Sequence, residues 1–341
     1  MARLPPIGKR VRSSVREPVQ FVTYAVEARF HGDVPELLKL SSVGVAVTAA
    51  CGIDFPEDWV WALGRNVVDQ FRTGGRRFFL TATQPLNAAG PSDAEYRVAA
   101  VYRSLWLHGL LRVDDVHGVH GNVGATSRMP VSTIVEVMPI PTTVTPVVTP
   151  SFNDEFWDSV DRVATGYYER NRRGQEFRRL WHGLQALERG LRDNHDQDAL
   201  ERQANLVRSL EVLVFDPDNK THARASVFGR RAASMVNGVA EVDLVDAYTH
   251  LRNAALHMHD RQKYLDKQHV LANVERLTGI VEDLVPAIWR EVLGNPEALE
   301  AMSDARIRAF WDALDVDPGR AWPGQRVAAR EARLDDSGGG A

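Results

Sequence analysis

The chain is nearly without cysteine, since Cys51 is the only one in 341 residues. One thiol excludes an intrachain disulfide framework and a cysteine-ligated zinc site, and it fits a reducing compartment, so a cytoplasmic location is expected. Long hydrophobic runs are missing too. No stretch reaches the roughly 18 uninterrupted apolar residues of a membrane-crossing helix, and the basic start MARLPPIGKRVRSSVREP leads into no signal-peptide core. No membrane partner is expected. Positive charge is not in excess: 41 Lys and Arg stand against 45 Asp and Glu, a formal net charge of -4. That balance excludes coating nucleic acid by bulk electrostatics, so any such contact must use local basic clusters. The sequence shows no fixed-period repeat, no glycine-rich loop of the nucleoside-triphosphate kind and no Ser-His-Asp arrangement. No cofactor is expected.

What is present is ample apolar material, 44% of the residues, in a chain long enough for two domains. Residues 1–16 carry Arg3, Lys9, Arg10, Arg12 and Arg16 without periodicity and read as a flexible basic arm. Residues 17–138 alternate strand-like and helix-like segments. Strands are predicted over Val19–Phe30, Val43–Ala50, Arg76–Thr83 and Ser132–Met138, with helices after Pro56 and after the capping-box spacing Ser92 to Glu95. Trp59, Trp61 and Trp106 are expected in the core of this small α/β domain. PIPTTVTPVVTP follows, and its prolines and β-branched residues favour an extended linker over 139–151. Helical periodicity then dominates 152–315, from Asp154 onward, with breaks at Asp216 to Asn219, Asn237-Gly238 and Gly294-Asn295-Pro296. Residues 316–341 end in SGGGA and read as a disordered tail. The expected fold is α+β overall: a small N-terminal α/β domain followed by an all-α helical bundle.

The richest stretch is DLVDAYTHLRNAALHMHD, Asp243 to Asp260. Leu244, Tyr248, Leu251, Ala255 and Met258 make one apolar stripe at alternating steps of four and three. At about 100° per residue, Arg252 and His259 fall on one flank, and Asp246, His250, Asn253 and His257 on the other.

Within it, RNAALH (Arg252 to His257) matches the Arg-(four to six residues)-His motif of the HEPN (higher eukaryotes and prokaryotes nucleotide-binding) helical domains. The same spacing recurs at Arg103 to His108 and Arg112 to His117, outside any bundle context. Upstream, RSLEVLVF (Arg208 to Phe215) and FGRRAASMV (Phe228 to Val236) resemble the two helices that precede the motif in the Apea-like branch of the superfamily. The resemblance covers about 175–293. That branch commonly has Ser after the arginine and Gly after the histidine, where this chain has Asn253 and Met258.

The resemblance implies a metal-independent endoribonuclease, a homodimer in which two motif helices build one composite site, acting on RNA in bacterial stress or antiviral defence. His257 would transfer protons near neutral pH, Arg252 would hold phosphate oxygens with its planar fork, and Asn253 would hold a ribose or phosphate oxygen. On an ideal helix Arg252 and His257 lie roughly 140° apart. This leaves three arrangements open: a helix end that turns His257 inward, pairing across a dimer, or His259 as the working histidine. Asn253, one turn before His257, favours His257; His259 and His250 stand as auxiliary candidates. The alternative function is a non-catalytic HEPN dimerisation, adaptor or nucleotide-binding module.

Arg224, Arg230 and Arg231 offer a backbone-binding cluster for RNA, although acidic residues nearby fit salt bridges as well. His117 and His120 behind Asp114 and Asp115 have the residue types of a metal site, but glycine-rich DDVHGVHGNVG reads more simply as a surface loop, and no metal site is expected. A regulatory partner is expected to act through residues 17–138.

Overall fold

The computed structural model describes residues 19–27, 31–50, 65–72, 77–85, 93–109, 116–123, 134–137, 151–191, 199–216, 223–252, 268–317 and 322–328. The chain divides into two compact units, Met1–Asn171 and Arg172–Ala341, within an α+β layout.

The first unit is built on a six-stranded sheet in the order β2-β3-β4-β1-β5-β6, with every pairing antiparallel. Its strands are β1 (Val19–Glu27), β2 (Leu38–Leu40), β3 (Val45–Thr48), β4 (Arg77–Pro85), β5 (Val116–Val123) and β6 (Ile134–Val137). β1 is central and buries Phe21, Val22, Tyr24, Ala25 and Val26 in succession, which explains its continuous apolar run. The hydroxyl of buried Thr23 meets the Thr81 hydroxyl of β4 at 2.9 Å, directly across the ladder. β4 and β5 both run antiparallel to β1 and hence parallel to each other, joined by a crossover that contains helix α2 (Asp93–Leu107). Helix α1 (Arg65–Arg72) adds Val68 and Phe71 to the core, with Phe71 stacked on Phe79. Buried Gln84 of β4 caps α2 by accepting from the Ala94 N–H at 2.7 Å.

Helix α3 (Asp154–Arg172) belongs to this unit and not to the helical bundle that the sequence suggested from Asp154 onward. Its buried stripe Trp157, Val160, Ala164 and Tyr167 explains the difference. Trp157 meets Phe78 of β4 edge-on, the Val160 carbonyl accepts from the buried Ser104 hydroxyl of α2, and Tyr168 donates to Asp93. The boundary therefore falls after Asn171 rather than in the proline-rich linker, which lies outside the described residues except for Ser151.

Two further expectations change. The sheet has six strands, not four or so, and its antiparallel pairing fits the expected α+β layout. The segment read as a loop around His117 and His120 is strand β5, with His117 opposite Ala25 and His120 opposite Val22. Its glycines hid it. Gly118 stands opposite Tyr24 and Gly121 opposite Phe21, so the small residues of one strand face the aromatic residues of the next.

The second unit is helical: α4 (Arg178–Leu191), α5 (Ala199–Val214), α6 (Arg224–Ser234), α7 (Glu241–Asp246), α8 (Gln268–Gly294), α9 (Pro296–Ala301) and α10 (Ile307–Val316). Amphipathic spacing places Leu180, Leu184 and Leu187 of α4 with Leu206, Leu210 and Leu213 of α5 in the core, around Trp289 of α8 and Trp311 of α10. Both indoles are satisfied, Trp311 by the Leu213 carbonyl at 2.9 Å and Trp289 by the Ser209 hydroxyl at 3.3 Å. Asn295 caps α9 through the Glu297 and Ala298 N–H groups, with Pro296 at the first helical position.

Part of the predicted tail is also built in. Trp322 is buried and stacked with Trp311 at 6.3 Å between ring centroids. Residues Val327–Ala328 (β8) then pair in parallel with Val236–Asn237 (β7), in the elbow between α6 and α7. The reading of 316–341 as disordered thus fails for 322–328, because a tryptophan able to stack in the core is worth ordering.

Candidate functional site

The predicted motif helix begins as α7 and continues from Ala247 to Arg252 as a π-helical turn, Asp246 having closed the α-helical part. Leu244, Ala247, Tyr248 and Leu251 are buried, as the apolar stripe predicts. Ala255 and Met258 of that stripe lie outside the described residues, and so do the proposed site residues Asn253, His257 and His259. The π-helical turn ends at Arg252, and the interval from Arg252 to His257, over which the roughly 140° separation was expected, lies outside the described residues beyond Arg252 itself. Within Ala247–Arg252, hydrogen bonds from i to i+5 widen the turn relative to an α-helix.

Arg252 sits at the end of this turn, 22% exposed. Its Nε donates to Glu211 Oε2 at 3.0 Å and its Nη2 to Glu211 Oε1 at 3.3 Å, and its guanidinium lies 5.0 Å from the centre of the Tyr248 ring. Glu211, on α5, is 14% exposed and receives more: the Tyr248 hydroxyl donates at 3.3 Å and Arg224 Nη2, from α6, at 3.2 Å, both to Oε1. Arg224 in turn rests 4.8 Å above the Phe215 ring. Phe215, Phe228 and Tyr248 are buried side by side beneath both cations, with the Phe228 and Tyr248 rings 4.8 Å apart. Burial and the Glu211 charge both push the Tyr248 phenol above its ordinary range, so it stays a hydrogen-bond donor. Three elements thus bring two guanidinium groups, one carboxylate and one phenol together. Such a cluster suits an anionic ligand.

His250 points to Asp246, with 3.9 Å between Nε2 and Oδ1, on the flank where helical spacing placed both. The proposed RNA-binding arginines separate. Arg224 joins the cluster and keeps 44% of its surface. Arg230 pairs with Asp315 of α10 at 2.9 Å. Arg231 is 4% exposed, bonded to Asp315 at 2.8 Å and to the Val214 carbonyl at 2.7 Å, with Trp311 beneath it. A phosphate backbone has no access to a cation held in this way, so Arg231 is a core residue and its nucleic-acid role is withdrawn. His108, from the second spacing match, is likewise absorbed locally: Nδ1 bonds the Ser104 carbonyl at 2.7 Å and Nε2 the Ser159 hydroxyl at 2.9 Å.

Sequence reasoning passed over Glu211, which lay inside the quoted segment RSLEVLVF. The available signal was a lone acid between Leu210 and Val212 on an otherwise apolar run. Against known proteins, the chain matches no family model, no curated protein and no solved structure.

Proposed function

We propose that the helical unit is a metal-independent endoribonuclease of the HEPN kind, working as a homodimer whose two motif helices complete one site. The observation that supports it is Arg252, held by Glu211 on an aromatic floor at the start of the Arg-Asn-(three residues)-His segment. In this reading His257 moves the proton of the attacking 2′-hydroxyl or of the departing 5′-oxygen. Arg252 carries the charge gathering on phosphorus, and Asn253 holds a ribose or phosphate oxygen. Only RNA has the internal nucleophile, so DNA is inert. The sheet unit would sense a trigger or recruit a partner, in bacterial stress or antiviral defence in the cytoplasm.

One observation favours a second reading, in which the helices only dimerise or act as an adaptor: Arg252 makes a two-pronged ion pair with a largely buried carboxylate, which is also how a structural arginine is held.

Incubation of the purified protein with RNA in EDTA separates the two. The nuclease leaves 2′,3′-cyclic phosphate ends, spares a substrate with 2′-deoxyribose at the scissile position, and loses about 10² to 10⁴ in rate as His257→Ala while His259→Ala retains most activity. Arg252→Lys is a cleaner second variant than Arg252→Ala, since it keeps the charge opposite Glu211 and removes the planar fork. Cleavage of the deoxy substrate, or activity only with added magnesium, leaves the adaptor reading in place.

A further inference from the structure

We infer that Glu211 is a positioning residue that couples two phosphate-binding cations, orienting Arg252 toward the scissile phosphate and presenting Arg224 to a neighbouring phosphate of the same strand. This rests on the ribonuclease reading and adds to it a residue on α5 and a site that engages two adjacent phosphates.

The argument starts from charge. Arg252 and Arg224 both donate to Glu211 Oε1, and the charged groups felt by the Tyr248 hydroxyl between them are Glu211, Arg252 and Arg224. Two guanidinium forks held against one carboxylate at a half-buried rim present donors matched to phosphate oxygens. Orientation comes next. Glu211 grips Arg252 by its Nε and Nη2 edge, and a carboxylate in that two-pronged contact fixes the plane of the guanidinium as well as its position. The Tyr248 ring, its centre 5.0 Å from the guanidinium, adds a cation–π contact. Arg224 meets the same Oε1 atom from α6 with a single bond and is the more exposed of the two, so it is tethered loosely enough to reach a ligand at the rim. Both cations lie on aromatic faces, Phe215 and Tyr248, which keep them near the site when a phosphate competes with the carboxylate, while the two-pronged Glu211 contact sets the rotation of Arg252.

A purely structural Glu211 would affect folding, binding and rate together, whereas a positioning role separates them. The experiment follows binding of a fluorescein-labelled single-stranded RNA by anisotropy across a salt series, together with cleavage of the same RNA, for the parent chain, Glu211→Gln and Arg224→Ala. Glu211→Gln removes the negative charge and frees Arg252 to rotate. It is expected to bind RNA as tightly as the parent or up to several-fold tighter while cutting at least tenfold more slowly. Arg224→Ala, at an exposed position, is expected to bind several-fold more weakly and to lower the slope of log affinity against log salt by about 0.7, the loss of one phosphate contact on a single strand. If the parent cuts RNA while Glu211→Gln keeps its rate and Arg224→Ala its salt slope, the inference falls and the ribonuclease reading survives. Glu211→Gln losing affinity and thermal stability in parallel also overturns it. A parent that binds RNA without cutting, with Arg224→Ala losing one contact, keeps the two-cation site and removes the nuclease. A parent that neither binds nor cuts removes both.

Discussion

At the scale of the residue, Arg231 and Arg252 show how one side chain serves two purposes. Each guanidinium lies over an aromatic ring and binds a carboxylate from a distant helix, but Arg231 is 4% exposed and Arg252 22%. Arg231→Ala would leave the Val214 carbonyl without this donor and Asp315 with Arg230 alone. Losing one partner of a buried pair costs about 3 to 5 kcal/mol, read as a lower urea midpoint at unchanged slope. Asp315 carries the pH dependence. Burial alone would push its carboxyl up, but the hydrogen bonds and charges of Arg231 and Arg230 outweigh burial and hold it below its ordinary range. The folded-state value is then below the unfolded one. The stability it contributes is complete above about pH 4 and disappears as pH falls through the lowered value. Between pH 7 and pH 3 the parent is expected to lose more urea stability than Asp315→Asn; equal losses would mean that the carboxylate adds nothing.

At the scale of the element, the α6 and α7 crossing decides whether Arg224 and Arg252 share a carboxylate, and Gly229 permits the approach. A Cβ there would lie 2.4 Å from Val245 Cγ2 and 3.0 Å from the Glu241 carbonyl oxygen. Gly229→Ala is therefore expected to destabilise by about 1 to 3 kcal/mol and to raise amide exchange in 224–252 before it does so in α4 and α5. Uniform loosening would place the strain elsewhere. Elements like these were legible where periodicity alone decides: Leu244, Tyr248 and Leu251 are buried on one stripe, and α5, α6 and α8 begin and end near their sequence breaks. The rest was set by partners distant in the chain. Strand β5 is a strand because Tyr24 and Phe21 stand across from its glycines, and α3 joins the sheet unit because Phe78 and Ser104 receive it. The π-helical turn has no residue-type signature at all. Glu211 was visible as a lone acid, but its three donors come from two other elements, and no spacing rule connects them.

At the scale of the whole molecule, each unit has its own core, the first around β1 and α2, the second around Trp289 and Trp311. A fragment spanning residues 172–328 is expected to unfold in one cooperative urea transition and to keep the near-ultraviolet dichroism of buried Trp289, Trp311 and Trp322; a fragment with helical signal but no aromatic signal would show that the units fold only together. The pairing of β7 with β8 carries a further consequence, in time. Asn237 bonds the Arg326 carbonyl across 89 residues of chain. At a synthesis rate of about 5 to 20 residues per second, the elbow between α6 and α7 waits roughly 4 to 18 seconds for its clasp. For all of that interval after Arg252 is made, both arginines and Glu211 exist while the elbow lacks its clasp. A nascent chain therefore completes the elbow beside this cluster late, well after the ribosome has passed the residues that compose it.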